Sequence, residues 1–369
     1  MKKILLSILI LQFSISIYSQ NLYVTKRDYS NPVNYIHTLQ KINVNNGFVI
    51  ENNNYTSSFP GSYSPRSLVF NQYTNEVIGL SDTNIITKKN ILNGNESTIT
   101  LPLESSTDYQ GIVVFNNRLF VTKRDYSNSP TIHFILEVNI SNGSVISTHT
   151  ITTNIPSSYN RDLSYAPISN LIFGLSDNII FKYNVTTQLE SSFTLPSVSG
   201  TDYTDLIVAE NRLFVIKRDY NNSPTIHSII EFDINTGLQL NEHIFTTNLV
   251  NYDKIKSLTF LADTHEICGI IKDGSSPQNF KIVKYNISNN AENNFDLSSQ
   301  SSTDYDEIVS TFNEETLSSL SFENTHDLKI VKAYNLLGQE VPIETYNEII
   351  IVKFDNGTTK KLYRKRIMN

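Results

Sequence analysis

The chain is poor in the residues and motifs that carry covalent cross-links or common enzymatic chemistry. Among its 369 residues it has one cysteine, two methionines and no tryptophan. A single cysteine excludes an intrachain disulfide, so the stability of the fold must come from packing. The sequence also lacks a GxSxG elbow, an HExxH pair, a Walker loop, a dinucleotide-binding glycine fingerprint and a CxxC pair. These absences do not exclude an enzyme whose active site is assembled from distant loops.

Basic residues are scarce in the body of the chain. The formal net charge is −7 over the whole sequence. Seven basic residues lie at the two ends: Lys2, Lys3, Lys360, Lys361, Arg364, Lys365 and Arg366. Residues 21–358 therefore carry a formal net charge of −14. Because nucleic-acid affinity rests largely on Lys and Arg that neutralise phosphates, we expect no nucleic-acid partner.

The longest apolar run stands at the N-terminus, from Ile4 to Ile17. Lys2 and Lys3 precede it and the small residue Ser19 follows it, which is the pattern of a secretory signal peptide over residues 1–20. The run is too short for a spanning helix, and no cysteine follows it to carry a lipid. We expect an exported, soluble mature chain without a transmembrane segment.

A long repeat organises the rest of the chain. Residues 107–126 read TDYQGIVVFNNRLFVTKRDY and return at 201–220 as TDYTDLIVAENRLFVIKRDY. The second half stands alone at 22–29 (LYVTKRDY), and the first half stands alone at 303–313 (TDYDEIVSTFN). Another marker, GLSD at 79–82, returns 95 residues later at 174–177, with a degraded copy at 269–272. Each period therefore contains two units of about 47 residues, a KRDY unit and a GLSD unit.

Each unit contains four short apolar runs separated by turn residues. In one GLSD unit the runs are residues 162–165, 171–175, 179–185 and 192–195, and none has the 3.6-residue period or the length of a helix. Each unit is therefore predicted to be a four-stranded antiparallel meander. Six such units between Leu22 and Leu297 predict an all-β fold, a six-bladed β-propeller over residues 21–313.

The split copy predicts how the ring closes. An open ring would leave unpaired strand edges at both ends. We expect the orphan strand near Ile308 and Val309 to pair with the orphan strand Leu22 to Val24, so that both ends of the chain share one blade. The alternative is a curved open solenoid.

The two motifs are expected on one face of the disc. TDY is predicted to precede the first strand of a unit and KRDY to end the second, and these points meet at one rim because successive strands reverse. Lys256, Asp82 and Asp177 are placed on the same face. The predicted binding residues are Arg27, Tyr29, Tyr35, Arg66, Asp108, Tyr109, Arg124, Tyr126, Arg161, Asp202, Tyr203, Arg218, Tyr220, Asp273, Asp304 and Tyr305.

Two interpretations of these polar residues remain open. Clustered Asp, Arg and Tyr suit a polar ligand such as a sugar, which a tyrosine can stack on and charged groups can hydrogen-bond. Residues repeated in every copy can instead be structural, for example Asp108 pairing with Lys123 or Arg124. Two segments break the repeat on this face, residues 31–35 and residues 273–279.

Histidines and the cysteine are expected to be structural. His37, His133 and His227 follow the KRDY loops on third strands of alternate blades, too far apart to converge on one metal ion. Cys268 occupies the position of Ile78 and Phe173 in the sister units, so we expect a buried apolar residue and not a nucleophile. No metal or cofactor is predicted.

The tail after residue 313 departs from the repeat. Residues 328–341 and 349–362 are predicted strands joined by glycine turns. The YNLLGQEV, IIIVKF and DNGTTKKL segments at 334–341, 349–354 and 355–362 resemble the C-terminal sorting domain of the type IX secretion system of Bacteroidetes. The resemblance covers about the last 45 residues of the chain. It implies a linker and a small β-sandwich-like sorting domain over residues 314–369. An accessory β-sandwich module without an export role is the alternative.

This resemblance implies where the chain functions. The type IX machinery would be a partner, the protein would cross the outer membrane, and the tail would be removed as the rest is released or attached at the cell surface. Three functions fit the sequence. The first is a binding or adhesion module for an extracellular carbohydrate or protein. The second is a hydrolase or lyase acting on a polysaccharide or peptide, and the third is a structural surface protein without a small ligand.

Overall fold

A computed structural model describes most of the repeat region and parts of the tail. The described residues are 21–30, 35–55, 67–81, 84–153, 155, 163–246, 255–272, 279–298, 302–311, 330–334, 339–342, 348–354 and 359–364. Within these ranges the chain forms 28 β-strands and no helix. The expected signal peptide and the linker after residue 313 lie outside the described residues.

The first 24 strands form six four-stranded antiparallel sheets, or blades. Blade 1 contains β1 (Leu22–Asp28), β2 (Ile36–Ile42) and β3 (Val49–Asn54). Blade 2 contains β4 (Ser67–Asn71), β5 (Glu76–Leu80), β6 (Ile85–Asn90) and β7 (Glu96–Thr100). Blade 3 contains β8 (Thr107–Phe115), β9 (Arg118–Asp125), β10 (Ile132–Val138) and β11 (Val145–Ile151).

The second half of the ring follows the same pattern. Blade 4 contains β12 (Leu163–Ala166), β13 (Leu171–Ser176), β14 (Ile179–Asn184) and β15 (Glu190–Thr194). Blade 5 contains β16 (Thr201–Ala209), β17 (Arg212–Asp219), β18 (Ile226–Phe232) and β19 (Gln239–Ile244). Blade 6 contains β20 (Lys256–Leu261), β21 (Glu266–Lys272), β22 (Phe280–Asn286) and β23 (Glu292–Leu297). The last strand, β24 (Thr303–Ser310), belongs to blade 1.

The predicted all-β fold, a six-bladed β-propeller built from repeated units, is confirmed. The innermost strands β24, β4, β8, β12, β16 and β20 contact one another in this order, and β20 also contacts β24. In blade 1, β24 lies beside β1, with Leu22 opposite Ser310 and Val24 opposite Ile308. The Thr311 N–H donates to the carbonyl oxygen of Asn21 at 3.0 Å, which extends this pairing by one further contact.

In the described part of the chain, the hydrophobic core is divided into six clusters, one between each pair of neighbouring blades. Between blades 2 and 3, for example, Ile78 packs with Ile112 and Val121, all fully buried. Between blades 5 and 6, Phe214 packs with Phe260. Burying one such side chain contributes about 1.5–3 kcal/mol relative to leaving it in water. Stability therefore comes from contacts between blades, as the lack of disulfides requires.

Serine hydroxyl groups connect the innermost strands of neighbouring blades. Ser67 Oγ, Ser164 Oγ and Ser257 Oγ accept hydrogen bonds from the N–H groups of Ile112, Val208 and Ile308 at 3.3, 2.8 and 2.7 Å. Each bond runs from a GLSD blade to the KRDY blade that follows it. Because an inner strand has one edge without a strand partner, these hydroxyls satisfy donors that the sheet itself cannot satisfy.

Two residues of the GLSD blades show how tightly the sheets pack. A Cβ added to Gly174 would overlap the ring of Phe181, so the glycine of this motif gives that aromatic side chain its space. Cys268 on β21 stands at the position of Phe173, one residue before the glycine that corresponds to Gly174; it is fully buried, and desolvation raises the pKa of its thiol. The prediction of a buried cysteine is confirmed.

The described tail residues form one further antiparallel sheet. Its strands are β25 (Ile330–Tyr334), β26 (Glu340–Val341), β27 (Glu348–Phe354) and β28 (Thr359–Arg364), in the order β26-β25-β27-β28. The sequence predicted strands at 328–341 and 349–362, and the sheet follows them with a break inside each. The breaks, residues 335–338 and 355–358, lie outside the described residues.

Candidate functional site: the KRDY rim

The TDY and KRDY motifs face each other in three alternate blades. Asp304 lies directly opposite Arg27, Asp108 opposite Arg124, and Asp202 opposite Arg218. The TDY residues are the first residues of the inner strands, whereas the sequence placed them before those strands. We call this edge of the disc the KRDY rim; it consists of the three Asp–Arg pairs, Tyr29, Tyr126, Tyr220 and the loops that follow Tyr126 and Tyr220.

Each aspartate of the rim neutralises the arginine opposite it. Arg124 donates from Nε and Nη2 to the two carboxylate oxygens of Asp108, at 3.0 and 2.8 Å. Arg218 donates in the same way to Asp202, at 3.0 and 2.7 Å. Arg27 Nη2 lies 2.7 Å from Asp304 Oδ2. Two-point guanidinium–carboxylate contacts are the strongest form of this interaction, so the rim arginines are held by the protein itself.

The next strand adds a buried histidine to each pair. His37, His133 and His227 lie opposite Arg27, Arg124 and Arg218 in the register of the sheets, and all three are less than 5% exposed. Desolvation, followed by the charge of Arg27, lowers the pKa of His37 to about 4. Desolvation and Arg124 also lower the pKa of His133. The lowered pKa values keep His37 and His133 neutral at pH 7. Each of the three histidines completes a row of Asp, Arg and His across its KRDY blade.

The three histidines stand in different blades, as the sequence predicted. Among the residues that the structure describes, no group of three or more His, Cys, Asp or Glu side chains is placed to hold a metal ion. The described ranges also contain no helix long and apolar enough to cross a membrane.

Tyrosines of the TDY motif hold the connections between blades. The hydroxyl groups of Tyr109, Tyr203 and Tyr305 donate to the carbonyl oxygens of Pro102, Pro196 and Ser298 at 2.6, 2.9 and 2.8 Å. Each of these acceptors lies seven residues before its tyrosine, in the segment that leads into the inner strand. Tyr109 and Tyr305 are almost fully buried, and desolvation raises the pKa of Tyr109 to about 12.

Tyrosines of the KRDY motif are, in contrast, open to solvent. Tyr126 is 53% exposed and Tyr220 is 54% exposed. The guanidinium carbon of Arg124 lies 5.6 Å from the ring centre of Tyr126, and the same distance separates Arg218 from Tyr220. Tyr29 is partly exposed and lies 5.8 Å from Arg27. A cation within about 6 Å of a ring face is attracted to it, so the arginines orient these rings.

Hydrogen bonds fix the backbone around each exposed ring. The N–H groups of Tyr29, Tyr126 and Tyr220 donate to the carbonyl oxygens of Ser302, Ser106 and Gly200, each at 2.9 Å.

The aspartates that precede these tyrosines stabilise the loops. The carboxylate of Asp125 accepts from the N–H and the hydroxyl of Ser127, at 2.9 and 2.6 Å, and these bonds lower the pKa of Asp125. Asp219 accepts from the N–H of Asn221 at 2.9 Å and from the amide of Asn222 at 3.1 Å. Local bonds of this kind are typical of turns in which Asp folds the backbone over its own side chain.

Several residues that the sequence placed on this face are not described by the structure or do not belong to the KRDY rim. Arg66, Arg161, Asp273 and Asp82 lie outside the described residues, as do most of the two segments that break the repeat, residues 31–34 and 273–278. Tyr35 is partly exposed just before β2. Lys256 begins β20, and its Nζ lies 3.5 Å from Asp306 on the inner strand of blade 1. Asp177 is an exposed turn residue with a φ of 51°.

A narrow cavity of about 130 Å³ lies along the axis of the propeller. All six inner strands contribute to its wall, with Val69, Val114, Tyr165, Leu206, Phe260 and Val309 among the lining residues. Ser164, one of the bridging serines, also lines it. The volume is far below the 300–1,000 Å³ of common ligand pockets. Among the described residues the axial cavity is therefore smaller than a common ligand pocket, and half-exposed aromatic rings lie on the rim.

The sequence offered the Asp108–Arg124 pairing as one alternative, but the histidine that joins each pair and the serine bridges were not predicted. A signal for the rows was present, since a histidine follows the arginine by nine or ten residues in all three KRDY units. This spacing spans a hairpin and places the two residues opposite each other. The serines gave a weaker signal: Ser67 and Ser257 share a basic-Ser-Leu-x-Phe sequence, whereas Ser164 stands two positions later in its unit.

Comparisons with known proteins add little to this geometry. No protein-family profile matches the chain, and no curated protein matches it. A similar solved structure, described as "Structure of U3-55K", is 11% identical, has a TM-score of 0.42 and covers 63% of this chain. The present chain spans only 64% of that protein. The class of protein, a six-bladed β-propeller, rests on the strand topology described above.

Proposed function

We propose that the protein is a secreted or cell-surface binding module that uses the KRDY rim to bind an extracellular carbohydrate or protein. The observation that carries this proposal is the pair of half-exposed rings of Tyr126 and Tyr220, each held beside an arginine whose charge is already matched. The same arrangement occurs in two blades and, with Tyr29, in a third.

The rim is pre-organised for binding. Tyrosine offers a large, stiff contact surface with an apolar face and a polar tip, and it loses little conformational freedom when a ligand stacks on it. Here the backbone and the ring are both fixed before any ligand arrives, so less entropy is lost on association. A rigid, exposed aromatic ring that recurs around one rim favours recognition of a ligand over a purely structural role.

The same contacts favour binding over hydrolysis. A general acid or base must hold or release a proton near neutral pH. The TDY aspartates are instead paired with arginines, and the neighbouring His37 and His133 have lowered pKa values. The aspartates are engaged by their arginine partners, and the lowered pKa values keep these two imidazoles neutral near pH 7, which suits a scaffold.

We propose further that the chain reaches the outside of the cell through the type IX machinery. The support is the signal-like segment 1–20 and the resemblance of the tail to the sorting domain of that system. In this proposal the propeller covers residues 21–313 and the pairing of β24 with β1 closes its ring. Residues 314–369 form a removable tail.

Deletion of residues 314–369 tests the export proposal. The expected result is a folded propeller retained in the periplasm, measured by cell fractionation and by circular dichroism of the retained protein. Appearance of the truncated protein in the medium would show that the tail is not an export signal.

Binding is tested with the mature chain on an immobilised glycan array and on cell-surface extract. The variant Y126A/Y220A should retain less ligand while its unfolding midpoint stays within about 1 °C, because exposed rings add little to stability. Tyr73 is a matched control, since it is 52% exposed in the turn between β4 and β5 on the opposite rim. Equal retention by wild type, Y73A and Y126A/Y220A would overturn the proposed site.

A further inference from the structure

We infer that the ligand of the KRDY rim is an uncharged polysaccharide with repeating units, bound by stacking on the tyrosines and not by ion pairing. This inference rests on the proposed function and narrows the class of ligand.

The charges of the rim argue against an acidic ligand. Arg124 and Arg218 each give two donors to an aspartate, so their strongest carboxylate-binding geometry is occupied. Each KRDY motif also contains a partly exposed aspartate, Asp28, Asp125 or Asp219, next to the tyrosine. The body of the chain carries −14 over residues 21–358. A polyanion such as a uronate or sulfated polymer would therefore be repelled both by the loops and by the protein as a whole.

The loops offer groups that suit hydroxyl-rich ligands. Tyr126 is followed by Ser127 and Asn128, and Tyr220 is followed by Asn221 and Asn222. A carboxamide has two donor hydrogens and an acceptor oxygen, so an asparagine that gives one hydrogen bond to its own loop retains further capacity. Neutral hydrogen-bonding groups beside an exposed ring can contact the hydroxyls and the apolar face of one sugar ring together.

The repetition of the site favours a repeating ligand. Blades 3 and 5, two blades apart on the same rim, each carry an Asp–Arg pair followed by an exposed tyrosine. Blade 1 carries Tyr29 at the equivalent position after its own Asp–Arg pair. A polymer bound at one of these tyrosines holds its next sugar units at high effective concentration near the other tyrosines. Such linkage raises overall affinity by about 10²–10⁴-fold over a single site when the geometry permits both contacts. A monosaccharide gains nothing from it.

Affinity electrophoresis of the mature full-length chain provides the test. The gels contain dextran, mannan or xylan as neutral polymers, and alginate or dextran sulfate as acidic polymers of similar length. The expected result is retardation by at least one neutral polymer, little change in that retardation between 50 and 500 mM NaCl, and no retardation by alginate or dextran sulfate.

Tyrosine variants then locate the interaction. We expect Y126A and Y220A each to raise the apparent Kd for the neutral polymer by about 10-fold or more through lost avidity. For the free disaccharide of that polymer, each variant should instead remove one site and leave the Kd of the remaining sites unchanged. Y73A, on the opposite rim, should behave as wild type in both measurements.

The outcomes separate this inference from the proposed function. Preferential, salt-sensitive binding of alginate or dextran sulfate would overturn the inference but leave the rim as a binding site. Retention of a protein from cell-surface extract that depends on Tyr126 and Tyr220, without binding of any glycan, would do the same. Neutral-polymer binding that neither variant weakens would also overturn it. If no glycan and no protein is retained in a manner that depends on these tyrosines, both the inference and the proposed function fail.

Discussion

Asp108 lies directly opposite Arg124 on neighbouring strands and accepts two hydrogen bonds from its guanidinium, at 3.0 and 2.8 Å. Both side chains are less than 20% exposed. The sequence alone included these residues among the candidate ligand contacts. In the structure they form a salt bridge that joins the first two strands of the blade. The tyrosine that follows the motif is then left to face the solvent.

A double-mutant cycle measures the coupling free energy between Asp108 and Arg124. We expect D108A and R124A to show a coupling free energy of about 1.5–3 kcal/mol in urea unfolding, because a shielded, charge-assisted contact is lost. The exposed pair Lys281 and Asp296, in which Asp296 is 74% exposed, is the control and should give about 0.2–1 kcal/mol. Equal coupling in the two pairs would contradict a structural role for the Asp–Arg contact.

The shared blade can be tested by two truncations of the mature chain. A chain that ends at residue 311 retains β24 and should unfold in one cooperative transition. A chain that ends at residue 301 lacks β24 with Ile308, leaves the edge of β1 unpaired and exposes the rest of the cluster around Val24. We expect it to lose cooperative thermal unfolding and to bind a hydrophobic dye. Identical melting curves for the two chains would show that β24 does not close the ring.

His37 makes stability depend on pH. Its folded pKa is lowered to about 4 from an ordinary value near 6.5, so the unfolded chain takes up a proton more readily than the folded chain. The contribution of His37 is therefore complete above pH 6.5 and is lost as the pH falls toward 4. We expect the urea midpoint of wild type to fall between pH 7 and pH 4.5. The fall should be smaller in H37Q, which isolates this histidine from carboxylates that titrate in the same range; a parallel fall in both proteins would contradict the assignment.

The serine bridges should contribute measurably to stability. S164A removes the acceptor of the Val208 N–H and leaves that donor at the unpaired edge of an inner strand. We expect a loss of about 1–2 kcal/mol in the free energy of unfolding, since an unsatisfied shielded donor costs its desolvation. S191A, an exposed serine of the same blade, should change stability by less than about 0.5 kcal/mol. Unfolding in guanidinium chloride provides both values.

The repeat predicted the blades well because period and alternation are properties of the sequence itself. The predicted run 171–175 corresponds to β13, Leu171–Ser176, and the predicted run 192–195 overlaps β15, Glu190–Thr194. Turn residues and the absence of a helical period were sufficient for this level of detail. The number of blades followed directly from the number of units.

Register and side-chain orientation could not be predicted in the same way. Asp108 had Lys123 and Arg124 as alternative partners, and strand alternation places these two on opposite faces. The structure pairs Arg124 with Asp108 and Lys123 with Glu104, at 2.7 Å. A bulge between Tyr109 and Ile112 shifts the register within the inner strand. No residue pattern in a single sequence predicts that shift.

The solvent exposure of the motif tyrosines could not be predicted from the sequence either. Tyr109 and Tyr126 stand in motifs of the same character, but one is buried against a connector and the other is open. Tyr109 lies within β8 and packs in the cluster between blades 2 and 3, whereas Tyr126 follows the end of β9, so the difference is a property of packing. The sequence therefore identified the rim but could not separate its supporting residues from its accessible ones.

The serine bridges also bear on how such a ring can evolve. Every one of them reaches from a GLSD unit to the KRDY unit after it, so the two kinds of unit are not interchangeable neighbours. Loss or gain of a single unit would place two of the same kind side by side and leave either a backbone donor or a serine hydroxyl without its partner. Duplication or deletion in steps of about 95 residues would keep every bridge, so this contact favours rings with an even number of blades.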